Sequence, residues 1–280
     1  MSENRFAVIG HPIGHTMSPF IHRRLFEIAR IQGEYTVIDI PPEELPVRIQ
    51  DLNRLSGYNI TIPHKQRIIP LLDALDPKAA LYGSVNTVHN STQRKGYTTD
   101  PDGFLKALAH HRIPLAGNVV ILGCGGVART FAFEAVLAGC NVTLAVRPSG
   151  AAKQQALVQE MTEKLGGTVH AAFIHDLAGD IDLLINATPV GMYPHISDKP
   201  VSDKVLSRCA NVFDAVYNPL DTALLQAARA NGANTADGMA MLVGQAAAAH
   251  TIWDGSEYSE EDLDQLIEDS AKEQQRCFSS

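Results

Sequence analysis

The chain reads as a two-part α/β protein: an N-terminal α/β region, then a doubly wound parallel sheet. Three observations predict this. Short apolar runs alternate with segments apolar at helical spacing along nearly the whole chain, the pattern of strands joined by crossover helices. Near the middle, Val119-Val120-Ile121-Leu122 runs into Gly123-Cys124-Gly125-Gly126 and then into a helical pattern, which opens a second α/β series. The length, 280 residues, exceeds one average domain.

In the first series, residues 6–9 form a buried strand. Pro19 opens a helix carried by Phe20, Ile21, Leu25, Phe26 and Ala29. Residues 35–40 give a strand, 45–55 a helix and 58–62 a strand. Residues 85–89 and 96–99 pair as a hairpin, and Asp100-Pro101-Asp102-Gly103 marks a break. In the second series, 119–122 is a strand, 127–138 a helix, 142–146 a strand and 151–165 a helix. Strands follow at 168–172, 182–187 and 212–216. Asp221 is expected to cap a helix over 222–230, and 238–253 is a long Ala-rich helix.

Charge is concentrated at one end. The net charge is −8, and nine acidic residues from Asp254 onward face only Lys272 and Arg276. The tail reads as a solvated helix with a frayed end, and the body is nearly neutral. A near-neutral body argues against nucleic-acid binding, which needs a basic surface. No apolar run is long enough to span a bilayer, and the polar start lacks a signal-peptide core, so neither membrane nor export is expected. Cys124, Cys140, Cys209 and Cys277 are scattered, as reduced thiols in a cytoplasmic protein are. His11, His15 and His64 lie in loops without a carboxylate or cysteine to complete a metal set, so no metal is expected.

Two segments carry chemistry. The first is the glycine turn. Gly123, Gly125 and Gly126 allow a tight bend and close approach of backbone N–H groups to a pyrophosphate, at the positive end of a helix. Ala128 stands at the last small position of that dinucleotide fingerprint, which accepts glycine or alanine. The second strand of this series ends Ala145-Val146-Arg147-Pro148-Ser149, without the acid that grips the ribose of NAD. Arg147 can pair with a 2′-phosphate, which favours NADP, with NAD as the alternative. The second segment is Asn59-Ile60-Thr61-Ile62-Pro63-His64-Lys65, where polar groups cluster at a strand end. A lysine there can serve as an acid/base group; taken alone, it is better read as a surface lysine.

The chain resembles the shikimate dehydrogenase family over nearly its full length. Gly10-His11-Pro12-Ile13-Gly14-His15-Thr16-Met17-Ser18-Pro19 resembles the family's substrate loop, and Asn59 to Lys65 its N-V-T-x-P-x-K segment. Gly83-Ser84-Val85-Asn86-Thr87 resembles G-A-V-N-T, and Gly96-Tyr97-Thr98-Thr99-Asp100 resembles G-x-N-T-D. Gly123 to Arg129 resembles G-A-G-G-A-x-R, Asn186 to Met192 resembles N-A-T-P-x-G-M, and Asp237 to Ala246 resembles D-G-x-x-M-L-x-x-Q-A.

The resemblance implies reversible reduction of 3-dehydroshikimate to shikimate with a nicotinamide cofactor. It implies a substrate domain over 1–101, a Rossmann domain over 102–236, and C-terminal helices over 237–280 returning to the first, with a cleft between the domains. It makes Lys65 and Asp100 the acid/base pair, the division of roles between them left open by their coupling. Thr16 and Ser18 would take the substrate carboxylate, and Asn59, Thr61, Asn86, Gln245 and Tyr217 its hydroxyls. Gly123, Gly125, Gly126, Val127, Ala128, Arg147, Thr188, Met192 and Gly238 would line the cofactor.

The chain departs from the family at Thr16 (serine), Met17 (lysine), Thr98 (asparagine), and at Val146 and Pro148 around Arg147. One added methyl in a packed pocket changes discrimination by ~1–3 kcal/mol. Quinate or a related analogue, with NADP or NAD, is therefore the alternative substrate. A nucleotide-binding regulator without turnover is the alternative from another class, as a monomer or homodimer like the enzyme.

Overall fold

The computed structural model describes residues 4–14, 16–167 and 169–278. The chain forms two compact units. One runs to Gly103 and takes in Leu242–Lys272; the other comprises Phe104–Met241 and the chain from Glu273.

The first unit holds β1 (Arg5–Gly10), α1 (Ser18–Ala29), β2 (Glu34–Asp39), α2 (Leu45–Leu52), β3 (Gly57–Ile60), β4 (Ala74–Leu75), α3 (Pro77–Tyr82), β5 (Thr87–Asn90) and β6 (Arg94–Tyr97). Its sheet order is β2-β1-β3-β5-β6-β4. β1 pairs in parallel with β2 and β3, while β5 runs antiparallel to both β3 and β6. β1 lies between β2 and β3 and is apolar beyond its exposed first residue, Arg5, with Phe6, Ala7, Val8 and Ile9 all buried. Ala7 and Ile9 face a core with Ile40, Leu45, Tyr58 and Val88; Phe6 faces the other side, with Phe26, Ala249 and Trp253.

Two elements here lie outside the sequence expectation. β4 and α3 are too short for a periodic signal to show. α3 nevertheless carries its end signals. Asp76 accepts the Lys78 N–H at 3.0 Å, Pro77 follows it, and Gly83 closes the helix at φ 58°.

The stretch from Asp100, expected as a break, instead starts α4 (Asp100–His110). Proline in the first helical turn loses no intrahelical bond, and Asp100 and Asp102 suit the positive helix end.

The second unit holds β7 (Asn118–Leu122), α5 (Gly126–Leu137), β8 (Asn141–Val146), α6 (Ala151–Leu165), β9 (Val169–Phe173), β10 (Ile181–Asn186), α7 (Asp203–Leu206), β11 (Cys209–Asp214), α8 (Ala223–Ala230) and β12 (Asn234–Ala236). Thr168, expected to open the strand that became β9, lies outside the described residues. The order β12-β11-β10-β7-β8-β9 is parallel at every described pair, as predicted for a doubly wound sheet. The order reverses between β7 and β10, the place where such sheets bind ligands. Val120, Leu122, Leu184, Val212, Leu224 and Leu225 are among its core.

Two further expectations change. Thr222, not Asp221, caps α8: its hydroxyl accepts the Leu225 N–H at 3.2 Å, while Asp221 pairs with Arg229. The acidic tail follows α9 (Met239–Asp254) and becomes α10 (Glu260–Phe278), which is not solvated all round. Leu263, Leu266 and Ser270 form a buried stripe at helical spacing.

Candidate active site

The polar residues of the first unit converge behind the ends of β3, β5 and β6. Thr61 continues the parallel ladder past β3, its N–H donating to Ile9 O at 2.9 Å. Gly10 leaves room for it, since a Cβ there would stand 2.5 Å from the Thr61 methyl. The turn after Pro63 then brings Lys65 back, and the Lys65 carbonyl accepts the Val85 N–H at 2.8 Å.

Lys65 Nζ lies 2.6 Å from Asp100 Oδ2, with side chains only 16% and 6% exposed. A pair this sheltered is screened little by solvent, so its geometry is firmly held. Asn86 Nδ2 donates to the other carboxylate oxygen at 2.9 Å, and Asn86 Oδ1 accepts the Thr99 N–H at 2.7 Å. Gln245, half-buried on α9, turns its Oε1 to Asn86 Nδ2 at 3.4 Å. Asn59 is buried and donates to Asn86 O and Thr87 Oγ1. Thr16 Oγ1 donates to Ser18 Oγ at 3.1 Å and accepts the Ser18 N–H.

The structure thus brings together Thr16, Ser18, Asn59, Asn86, Gln245, Lys65 and Asp100 in one unit, with Thr61 beside them. Tyr217 belongs to the second unit, after β11, where burial raises its pKa. Among the histidines, His11 binds Asp39 at 2.6 Å and holds that carboxyl below its ordinary range. His64 is fully buried against Ile40 O, and His15 lies outside the described residues.

Of the departures, Met17 is packed inside, where a lysine would be costly. Thr98 is buried with no partner for its hydroxyl among the described residues. Tyr35, Thr87 and Thr99 were not singled out from the sequence. Thr87 and Thr99 sit inside quoted motifs, but Tyr35 is hidden in an ordinary strand pattern.

In the second unit the glycine turn sits at the switch between β7 and β10. Gly123 has φ 105°, and a Cβ there would stand 3.1 Å from the Thr188 methyl. At Gly125 and Gly126 a Cβ would meet nothing within 4 Å, so these two open a space in front of α5. Among the described residues no side chain caps that helix end, which leaves its first N–H groups for a ligand. Val127 and Ala128 form its first turn.

Thr188 is fixed by Asn186 Oδ1, which accepts its hydroxyl at 2.7 Å. Met192 is exposed, and so is Arg147, at the end of β8. Val146 is buried and packs on Gly150, so this departure fills a core position. Gly238 has a packing reason of its own: a Cβ would overlap the Ala215 carbonyl. Arg129, the last residue of the glycine segment, is bound to Glu160 and pulls that carboxyl's pKa down to about 2. The open glycine turn, the uncapped helix and the exposed Arg147 fit a phosphorylated dinucleotide.

Comparisons with known proteins agree. The family model for the shikimate dehydrogenase substrate binding domain matches residues 8–88. The shikimate dehydrogenase (NADP(+)) of Caldanaerobacter subterraneus subsp. tengcongensis is 37% identical over 257 residues, covering 89% of this chain and 91% of that protein. A shikimate dehydrogenase solved in complex with NADP+ superposes with TM-score 0.87 at 38% identity, covering 96% of each chain. The shikimate 5-dehydrogenase of Thermus thermophilus, solved with NADP(H) and shikimate, gives 0.85 at 34% identity, over 95% of this chain and 99% of that one. With sequence and fold shared along almost its whole length, the chain belongs to the shikimate dehydrogenase family.

Proposed function

We propose that this protein interconverts shikimate and 3-dehydroshikimate with NADP. The observation that carries this reading is the sheltered Lys65–Asp100 pair at 2.6 Å, held by Asn86. Oxidising the alcohol to a ketone requires the hydroxyl proton to leave, and reduction requires its return. Lys65 is the group that holds and moves this proton, and Asp100 keeps its ammonium in place. Asn86 holds Asp100 through one carboxylate oxygen and so leaves the other for Lys65. NADP, when bound, supplies or accepts the hydride.

Thr16 and Ser18 receive the substrate carboxylate. Asn59, Thr61, Asn86, Gln245 and Tyr217 meet its hydroxyls. The Gly123–Gly126 turn, with Val127, Ala128, Thr188, Met192 and Gly238, receives the dinucleotide, and Arg147 its 2′-phosphate. No helix among the described residues is long and apolar enough to cross a membrane. A cytoplasmic location accords with the four free cysteines; a monomer or homodimer is the assembly expected.

The test is steady-state oxidation of shikimate and of quinate, each with NADP+ and with NAD+. Shikimate with NADP+ is expected to give the highest kcat/KM. Preference for quinate or for NAD+ would shift the substrate or cofactor assignment. Absence of turnover in all four would reject the enzyme and favour a nucleotide-binding regulator.

A further inference from the structure

Behind the Lys65–Asp100 pair, polar groups of the first unit form one hydrogen-bonded path. It starts with Tyr35 Oη donating to Asn59 Oδ1 at 2.7 Å. From Asn59 the path continues through Thr87 Oγ1 at 3.1 Å to Asn86 Oδ1 at 3.1 Å. Asn86 Nδ2 then reaches Asp100 at 2.9 Å, and Asp100 reaches Lys65 at 2.6 Å. Tyr35 stands at the start of this path, and among the described residues it is the partner of Asn59 Oδ1.

Tyr35 is built to hold that place. Its ring stacks on His22 of α1, with centroids 4.0 Å apart and planes 7° from parallel. His22 Nδ1 is bonded to His250 Nε2 at 3.1 Å, and His250 Nδ1 to Asp254 at 3.2 Å. The ring therefore has little freedom to turn away. Burial raises the phenol pKa well above its ordinary value, so the hydroxyl stays a donor.

Asn59 depends on that donor. Its Nδ2 is committed to Asn86 O and Thr87 Oγ1, which leaves Oδ1 for Tyr35. Without the phenol, a buried amide oxygen loses its partner and the amide its preferred orientation.

We propose that Tyr35 is a positioning residue for substrate recognition: its hydroxyl fixes the orientation of the Asn59 amide. The group that receives a ring hydroxyl is then preformed before shikimate arrives. The inference rests on the reading above, in which Asn59 faces shikimate.

Tyr35→Phe isolates the hydroxyl, because phenylalanine keeps the stack on His22. The measurements are the calorimetric Kd for shikimate, kcat, and KM for shikimate and for NADP+, with the thermal midpoint as a control. The expected result is a rise of about three- to tenfold in Kd and KM for shikimate. kcat and KM for NADP+ stay near wild type and the midpoint falls only by the few degrees that one unpaired buried amide costs, a split that a general loss of fold does not produce. Unchanged shikimate binding in an active protein overturns the role of Tyr35 alone. So does a parallel loss in both substrates and in the midpoint. A wild-type protein that neither binds nor oxidises shikimate overturns the functional reading, and this inference with it.

Discussion

Lys65 shows what a single residue gains from its neighbours. In the sequence it is one lysine after a proline; in the structure its ammonium is 2.6 Å from a carboxylate that Asn86 also holds. Lys65→Ala is expected to lower kcat by about a hundredfold to ten-thousandfold, the usual scale for losing a general acid/base group. KM for shikimate should change little, because the binding groups proposed above are Thr16, Ser18 and Asn59. A variant that loses binding and keeps kcat would assign Lys65 to recognition instead. The grouping of these polar residues was legible because the motif residues stand in order along the chain. Tyr35 was not, because an aromatic residue in a strand looks the same whether its hydroxyl is bonded or idle.

Elements here are joined by residues whose reasons lie in other elements. Gly57 opens β3, and nothing in its own strand demands a glycine. A Cβ there would overlap the Trp253 indole of α9, whose Nε1 donates to Val88 O at 2.9 Å. Gly57→Ala is therefore expected to destabilise the protein by about 1–3 kcal/mol, the cost of overpacking, read as a lower urea midpoint. An unchanged midpoint would mean that α9 shifts freely.

Asp214 plays a comparable part in the second unit. It is fully buried at the end of β11 and binds Asn186 of β10 at 2.9 Å and the α8 cap Thr222 at 2.7 Å. Burial pushes its pKa from 3.8 up to about 6, against the pull of those hydrogen bonds. The folded state thus holds this proton more tightly than the unfolded chain. The stability it contributes is fully present below pH 3.8 and is lost as pH rises through about 6. Asp214→Asn removes that slope. From pH 5 to pH 7 the variant should gain about 1 kcal/mol relative to wild type in urea unfolding. A pH-independent difference would place the titration elsewhere.

At the scale of the whole molecule, Asp214 of the second unit and His22 of the first have opposite pH senses. In the first, burial, and then His250, hold the His22 pKa well below 6.5. The unfolded chain takes up that proton first, so the stability present above pH 6.5 is lost as pH falls; His89, also lowered by burial, adds in the same direction. Trp253 is the chain's single tryptophan and lies in this unit, so its fluorescence reports there. Its urea midpoint should fall from pH 7 to pH 5, and a flat or rising midpoint would contradict the assignment.

By itself, the sequence determined the α/β class, the order of most elements, the glycine turn and the polar residues gathered around Lys65. These are local matters: periodicity, turn chemistry and short motifs are written in consecutive residues. The helix from Asp100 was read as a break, because Pro101 and Gly103 are turn signals as well as residues a first helical turn tolerates, and the α8 cap was placed one residue early, because Asp221 and Thr222 are both competent to cap. Only the tertiary structure decided that Gly57 must be small, that α10 buries a stripe, and that Tyr35 bonds Asn59. Each of these depends on residues far apart in the chain, whose pairing follows from sheet order and packing and leaves no trace in local spacing.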